Sequence, residues 1–130
     1  MRPLIVANWK MNPVNSKEAF DLTKAVVHGL EDIEADVVLC APFVYVPQLL
    51  PSLNVFIGAQ DSFWEQDGAY TGEVSPLMLK NLGCSYVILG HSERRRLGET
   101  SEMIAKKIQA ALDVVLIPVV CVGENVEEEM

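Results

Sequence analysis

Three short polar groups each follow an apolar run. Asn8 and Lys10 close the first run, His91 and Glu93 come directly after Gly90 at the end of a later one, and Glu124 follows a third. The alternation of a strand places Asn8 and Lys10 on one side, with Trp9 opposite. An amide, an ammonium, an imidazole and carboxylates on one rim could hold a small anion and polarise a carbonyl. His91 stands where a strand turns into a helix, and the positive end of a helix favours a neutral imidazole, which can donate a hydrogen bond to a substrate oxygen. Taken singly, each of these residues also reads as a solvated loop residue that caps a helix. His28, before Gly29, reads as a surface residue at a helix end. Arg94, Arg95 and Arg96 form a small basic cluster expected to pair with Glu73 or Glu99.

The balance of the chain limits what those residues can serve. Its 130 residues are half hydrophobic, and 18 acidic against 10 basic side chains give a net charge of −8. Half-apolar composition builds a core and argues against disorder. Phosphate-backbone binding needs clustered Lys and Arg, so no nucleic-acid partner is expected. No apolar run approaches the roughly 18 residues of a membrane span, and the N-terminal run turns polar too early for a signal peptide, so the expectation is a cytoplasmic protein with no membrane partner. Cys40, Cys84 and Cys121 are far apart and lie in apolar runs, with no metal-ligand spacing. They read as reduced core thiols with no zinc site, a reactive-thiol reading being kept only for Cys121 at the end of its strand-like run.

The elements that must carry these residues alternate regularly. Apolar runs at 3–7, 37–41, 55–59, 86–89 and 119–122 read as buried strands. Asn15, with Glu18 three residues on, caps a helix that Gly29 stops; Ala19, Leu22 and Val26 share its face, flanked by Phe20, Val27 and Leu30. Residues 46–50 make at most a short helix before Pro51. Ser75 and Pro76 open another short helix, ended by Gly83. From Ser101 a further helix carries Ile104, Ile108, Ala111 and Leu112 on one face. Residues 60–72 form a long polar and aromatic loop with Gly68 and Gly72, and loops of that length in compact domains usually act or interact. Residues 123–129 look like a loop leading into an acidic first helical turn.

Strands alternating with helices mean an α/β protein with a parallel sheet. Length alone favours a five-stranded doubly wound sheet, because a (β/α)8 barrel typically needs about 250 residues. No glycine-rich phosphate loop follows the first strand, however, and the final helical turn looks like the beginning of a larger fold. In either architecture the strand ends that carry Asn8, Lys10, His91 and Glu93 fall on the ligand-binding face.

The segments Ala7-Asn8-Trp9-Lys10-Met11-Asn12, Gly58-Ala59-Gln60, Gly68-Ala69-Tyr70-Thr71-Gly72-Glu73, Gly90-His91-Ser92-Glu93-Arg94-Arg95 and Cys121-Val122-Gly123-Glu124 resemble the triosephosphate isomerase family in order and spacing. The resemblance implies the N-terminal part of a (β/α)8 TIM barrel, strands one to five, with residues 1–130 as one partial barrel domain that ends at the start of the fifth helix. It implies interconversion of dihydroxyacetone phosphate and glyceraldehyde 3-phosphate, a step of glycolysis and gluconeogenesis, without cofactor or metal. Asn8 and Lys10 would bind substrate, with Lys10 countering its phosphate and developing charge. His91 would polarise the carbonyl and carry protons between the enediolate oxygens, the neutral-histidine pattern of this family. Ser92, Glu93 and Cys121 would support the site, with Glu93 expected to pair with Lys10.

The resemblance also implies that the loop at 60–73 pairs two barrels, with Gln60, Tyr70, Thr71, Glu73 and Arg94 at the contact and Thr71 reaching the neighbour's Asn8, Lys10 and His91. The aromatics Phe63, Trp64 and Tyr70 suit such an interface. Two departures from the family pattern stand out: Asp61 replaces the usual asparagine, and residues 94–99 are about one residue short. The family's glutamate base, flexible lid and later phosphate loops have no counterpart in these residues. The expectation is therefore a complementary C-terminal barrel chain that supplies them, the isolated chain being inactive; the alternative is an inactive fragment that serves as an association module. Unpaired edge strands and an exposed apolar face, both implied by five strands of a barrel, would drive such association.

Overall fold

A computed structural model describes residues 1–49 and 55–123. The order is β1 (Leu4–Asn8), α1 (Ser16–Gly29), β2 (Asp36–Ala41), a 3-10 helix (Phe43–Gln48), β3 (Val55–Ala59), α2 (Pro76–Asn81), β4 (Cys84–Leu89), α3 (Ser92–Arg96), α4 (Ser101–Asp113) and β5 (Ile117–Val120). Of the helix turn read at 123–129 only Gly123 is described, and the end of the segment at 46–50 lies outside the described residues.

All four strand pairings are parallel, and the strands lie side by side in chain order, β1-β2-β3-β4-β5. A doubly wound sheet reverses direction at a switch point and cannot give that order. Sequential order is what a barrel wall requires, so the size-matched alternative is excluded and the barrel segment stands.

The two faces of the sheet differ as that wall demands. On one face Ala41, Ile57, Ala59, Val87 and Leu89 pack with Ala19 of α1, Tyr45 and Val46 of the 3-10 helix, Leu79 of α2 and Ala111 of α4. The opposite face gathers Val38, Cys40 and Ile88 with Val6, Phe56, Tyr86 and Cys121, all from strands or strand ends. This second face is the inner one. Gly58 belongs to it: a Cβ there would stand 2.7 Å from Cys40 Sγ and 2.8 Å from Val38 Cγ1.

Among the described residues β1 pairs only with β2 and β5 only with β4. Exposed apolar side chains collect at these edges, Leu4 and Ile5 on one and Ile117 and Val120 on the other. No helix among the described residues is long and apolar enough to cross a membrane.

Several expected boundaries need correction. β1 runs to Asn8 and starts at Leu4, because Pro3 has no N–H and contributes only its carbonyl, which accepts from Asp36 N at 2.9 Å. β4 begins at Cys84, since the polar Ser85 breaks the apolar run without breaking the strand. β5 is Ile117–Val120 and not 119–122; Pro118 sits inside it, which an edge strand tolerates because the missing donor costs no ladder bond on the open side. The short helix at 46–50 is a 3-10 helix that starts at Phe43. Leu22 and Phe20 are exposed on α1, whose buried face is Ala19 and Thr23. On α4 the expected Leu112 is exposed, and Lys107 is buried with Ile104 and Ala111.

Candidate functional site

At the C-terminal ends of the strands lies a cleft of about 260 Å³ lined by Asn8, Lys10, Pro42, Phe43, Gln60, Asp61, His91, Glu93 and Arg94. The sheet brings together residues that the chain keeps as far apart as Asn8 and Arg94. Ser92 and Cys121 are not in this lining. Cys121 packs on the inner face below, and Ser92 opens α3 on the exposed side. Glu124 lies outside the described residues.

Lys10 follows β1 with φ +56°. A side chain in the left-handed region costs about 1–2 kcal/mol, so the surroundings must hold it there. They do so from several directions. Lys10 N donates to Asn8 Oδ1 at 2.9 Å, and Gln60 Nε2 donates to both Lys10 O and Cys40 O, each at 2.9 Å. Trp9 N donates to the same Cys40 carbonyl at 3.0 Å, and the indole packs on the helix-bearing side. The ammonium lies 3.5 Å from Glu93 Oε2, the expected pair. Gln60, expected at the contact between barrels, is thus tied to Lys10 through its amide.

His91 caps α3. Glu93 N donates to His91 Nδ1 at 3.1 Å, and Glu93 Oε1 stands 3.4 Å from the same nitrogen. The two contacts ask for opposite states of Nδ1. A backbone N–H is a permanent donor already aimed at that nitrogen, and only an unprotonated Nδ1 can accept from it, so the ring's proton sits on Nε2. The cleft is therefore lined by an imidazole whose proton is on Nε2, an ammonium and an amide. That set suits an oxyanion and a carbonyl.

Beside the cleft lies a charge cluster. Lys107, only 3% exposed, donates to Asp61 Oδ1 at 3.0 Å and to Glu99 Oε2, while Arg94 Nε contacts Asp61 Oδ2 at 3.1 Å and Glu99 Oε2 at 3.2 Å. The arginine cluster was expected to pair with Glu73 or Glu99, and Arg94 takes Glu99. Arg95 instead bonds Ser101 Oγ. Burial raises the Asp61 carboxyl above its ordinary range despite Lys107 and Arg94. Burial also opposes ionisation of Glu99, but its hydrogen bonds and proximity to Lys107 and Arg94 outweigh that and hold it below the ordinary value. Sequence reading missed Lys107; its only signal was a charged residue one helical turn after Ile104, which a burial pattern discards.

The loop after β3 is folded on itself. Phe63 N donates to Val74 O at 2.8 Å across its neck, and the Phe63 ring stacks on Trp64 at 4.1 Å and lies 4.7 Å from Tyr70. Of the three aromatics read as interface anchors, Phe63 is buried inside the loop and only Tyr70 is exposed. Tyr70 and Glu73 edge a small hollow on the loop, away from the cleft, and Thr71 is exposed at the tip. Cys40 and Cys84 are buried and their thiols are pushed up by burial, to about 12 and about 11, which makes both inert at neutral pH.

The sequence pattern of the triosephosphate isomerase family matches residues 3–130. The chain belongs to the triosephosphate isomerase family. It is 49% identical to the triosephosphate isomerase of Thermoanaerobacter pseudethanolicus over 98% of its own length and 52% of the relative's. Identity to that of Dictyoglomus thermophilum is 50%, over 98% of this chain and 53% of the relative. The crystal structure of triosephosphate isomerase from Bartonella henselae superposes with a TM-score of 0.91 at 35% identity, covering 99% of this chain and 55% of that one. The chain thus spans about half the length of the curated relatives it matches.

Proposed function

We propose that the chain forms the Asn8, Lys10 and His91 side of a triosephosphate isomerase site and acts, in the cytoplasm, once a complementary C-terminal barrel segment supplies the remaining strands, the glutamate base, the lid and the phosphate loops. The observation that carries this reading is the cleft itself: a neutral imidazole with Nε2 unpartnered among the described residues stands on one wall with an ammonium held in a left-handed backbone turn.

In the proposed reaction Lys10 draws the triose phosphate into the cleft and offsets the negative charge that develops on oxygen. The His91 Nε2–H donates to the carbonyl, which makes the adjacent carbon acidic enough for the complementary glutamate to take its proton. The imidazole then passes a proton between the two enediolate oxygens, and return of the carbon-bound proton at the neighbouring carbon completes the isomerisation. Asn8 fixes Lys10 by accepting from the Lys10 backbone N–H at its side-chain oxygen, and borders the substrate. Two completed barrels would pair through the loop at 60–73, with Tyr70, Thr71 and Glu73 at the contact.

The test is direct. A complementary chain of about 120 residues, the difference from a typical barrel, is mixed with this one and assayed for interconversion of dihydroxyacetone phosphate and glyceraldehyde 3-phosphate. Activity of the mixture and none from either chain alone is expected. Activity of this chain as a purified monomer would overturn the need for a complement. A stable but inactive complex would favour the association-module reading, for which the exposed apolar edges of β1 and β5 are the supporting observation.

A further inference from the structure

The geometry points to Tyr45 as a positioning residue for Lys10, acting through the loop that follows it. This inference rests on the functional reading above. The segment after Lys10 has little apolar burial to hold it: Met11 is 89% exposed and Val14 85%. Polar ties must therefore fix it. On one side Gln60 holds the Lys10 carbonyl. On the other side the 3-10 helix supplies two bonds, Tyr45 Oη donating to Pro13 O at 2.8 Å and Gln48 Nε2 donating to Ser16 O at 2.8 Å.

The 3-10 helix can serve as an anchor because it is rooted in the core. Tyr45 is 8% exposed, Val46 is fully buried and Leu49 is 2% exposed, packed among the outward-facing residues of β2, β3 and β4. The phenol therefore reaches the loop from a rigid base, and its ring pays little further entropy to do so. Lys10 is a non-glycine residue at φ +56°, a conformation that persists only where neighbours over-determine it. With Gln60 fixing the carbonyl, Asn12 Nδ2 donating to Trp9 O at 3.3 Å and Tyr45 fixing the chain three residues on, polar ties on both sides oppose relaxation of Lys10. Relaxation would swing the ammonium away from Glu93 and out of register with His91. Tyr45 does not line the cleft, so it touches neither substrate nor reacting atoms.

The experiment is a double-mutant cycle between Tyr45→Phe and Lys10→Ala in the chain assembled with its complement. Tyr45→Phe removes one hydroxyl and leaves the ring packing. With Lys10 present it is expected to lower kcat/KM about tenfold, since small misplacements of a catalytic group carry factors of this size. With Lys10→Ala it should change the remaining activity less than about twofold. Equal losses in both backgrounds would show a merely structural role and overturn the inference, as would no loss at all. Gln48→Leu, on the half-buried neighbour, is the second variant should the phenylalanine chain fail to fold, with a loss of about threefold expected and the same dependence on Lys10.

A readout independent of turnover separates this inference from the functional reading. The backbone chemical shifts of Lys10 in the isotope-labelled chain report its left-handed conformation. They should move in Tyr45→Phe and stay in place in Tyr86→Phe. An unsubstituted assembly without isomerase activity refutes the proposed function and leaves this measurement to decide the role of Tyr45; unmoved Lys10 shifts refute that role whatever the activity.

Discussion

Lys107 and Asp61 lie 46 positions apart in the chain and meet at 3.0 Å in the protein interior, where Glu99 shares the same ammonium. Two carboxylates on one lysine are not equivalent. Asp61 is held above its ordinary 3.8 by burial, whereas Glu99 is held below its ordinary 4.5 because Lys107 and Arg94 outweigh its burial. A raised carboxyl means the folded protein disfavours its ionised form, so replacing Asp61 by asparagine should leave the chain as stable or more stable at neutral pH, read as an unchanged or higher melting temperature. The amide oxygen still accepts from Lys107, and the partly exposed Arg94 can turn to Glu99 alone. Glu99→Gln should instead cost about 3 kcal/mol, as expected for breaking a buried pair. Thermal melts of the two variants decide this.

The same pair sets a pH response. Glu99 contributes stability that is fully present above about its ordinary 4.5 and is lost as pH falls through its lower folded value. Asp61 works the other way: its penalty is present above its raised folded value and disappears as pH falls. The unsubstituted chain should therefore lose stability only gradually on acidification, while Asp61→Asn loses it more steeply. Urea midpoints measured from pH 7 down to about 3.5 give both curves; parallel curves would refute the opposition.

Gly58 faces the inner side of β3, where a Cβ would meet Cys40 Sγ at 2.7 Å and Val38 Cγ1 at 2.8 Å, both fully buried. Gly58→Ala should destabilise the chain by about 2–3 kcal/mol through overpacking. Adding Cys40→Ala removes one of the two obstacles and should return part of that loss. Denaturant unfolding of the single and double variants measures it.

Val115 ends the turn after α4 at φ +60° and is 72% exposed, with its carbonyl accepting from Lys80 Nζ at 2.9 Å. A β-branched residue in the left-handed region is strained and here gains little burial in return. Val115→Gly should stabilise the chain by about 1 kcal/mol, seen as a higher melting temperature.

Glu93 faces both Lys10 and His91, at 3.5 and 3.4 Å. In the assembled protein Glu93→Gln should lower kcat/KM about tenfold, because the carboxylate holds the Lys10 ammonium. Its backbone N–H, which fixes the histidine ring, is unaffected. Unchanged turnover would show that the pair with Lys10 is incidental.

The strands and the polar residues at their ends were legible because each signal was local: an apolar run, then Asn8 and Lys10, or Gly90 and His91. Sequential strand order was not legible from periodicity, which serves a doubly wound sheet equally well, and the motif series supplied it. Lys107 escaped because burial of a lysine depends on Asp61 and Glu99, which only the fold brings near. Gln60 was read as part of a contact between barrels, since nothing in its neighbours reveals that its amide turns back to Lys10 and Cys40. Gln48 was read as part of a short helix at 46–50 and Tyr45 fell just before it; their reach to residues 13 and 16 is likewise a product of packing.

The bond from Phe63 N to Val74 O closes the neck of the loop after β3, with Asp61 and Gln60 already fastened below it. What lies beyond that neck is separated from the chain's own cleft by these ties. Within one chain, residues at the tip can be lengthened, shortened or exchanged at a cost that grows only slowly with loop length, because the ties below the neck do not include them. The loop is in this sense a cassette: a different surface could be installed beyond the neck while the fold beneath it stays in place.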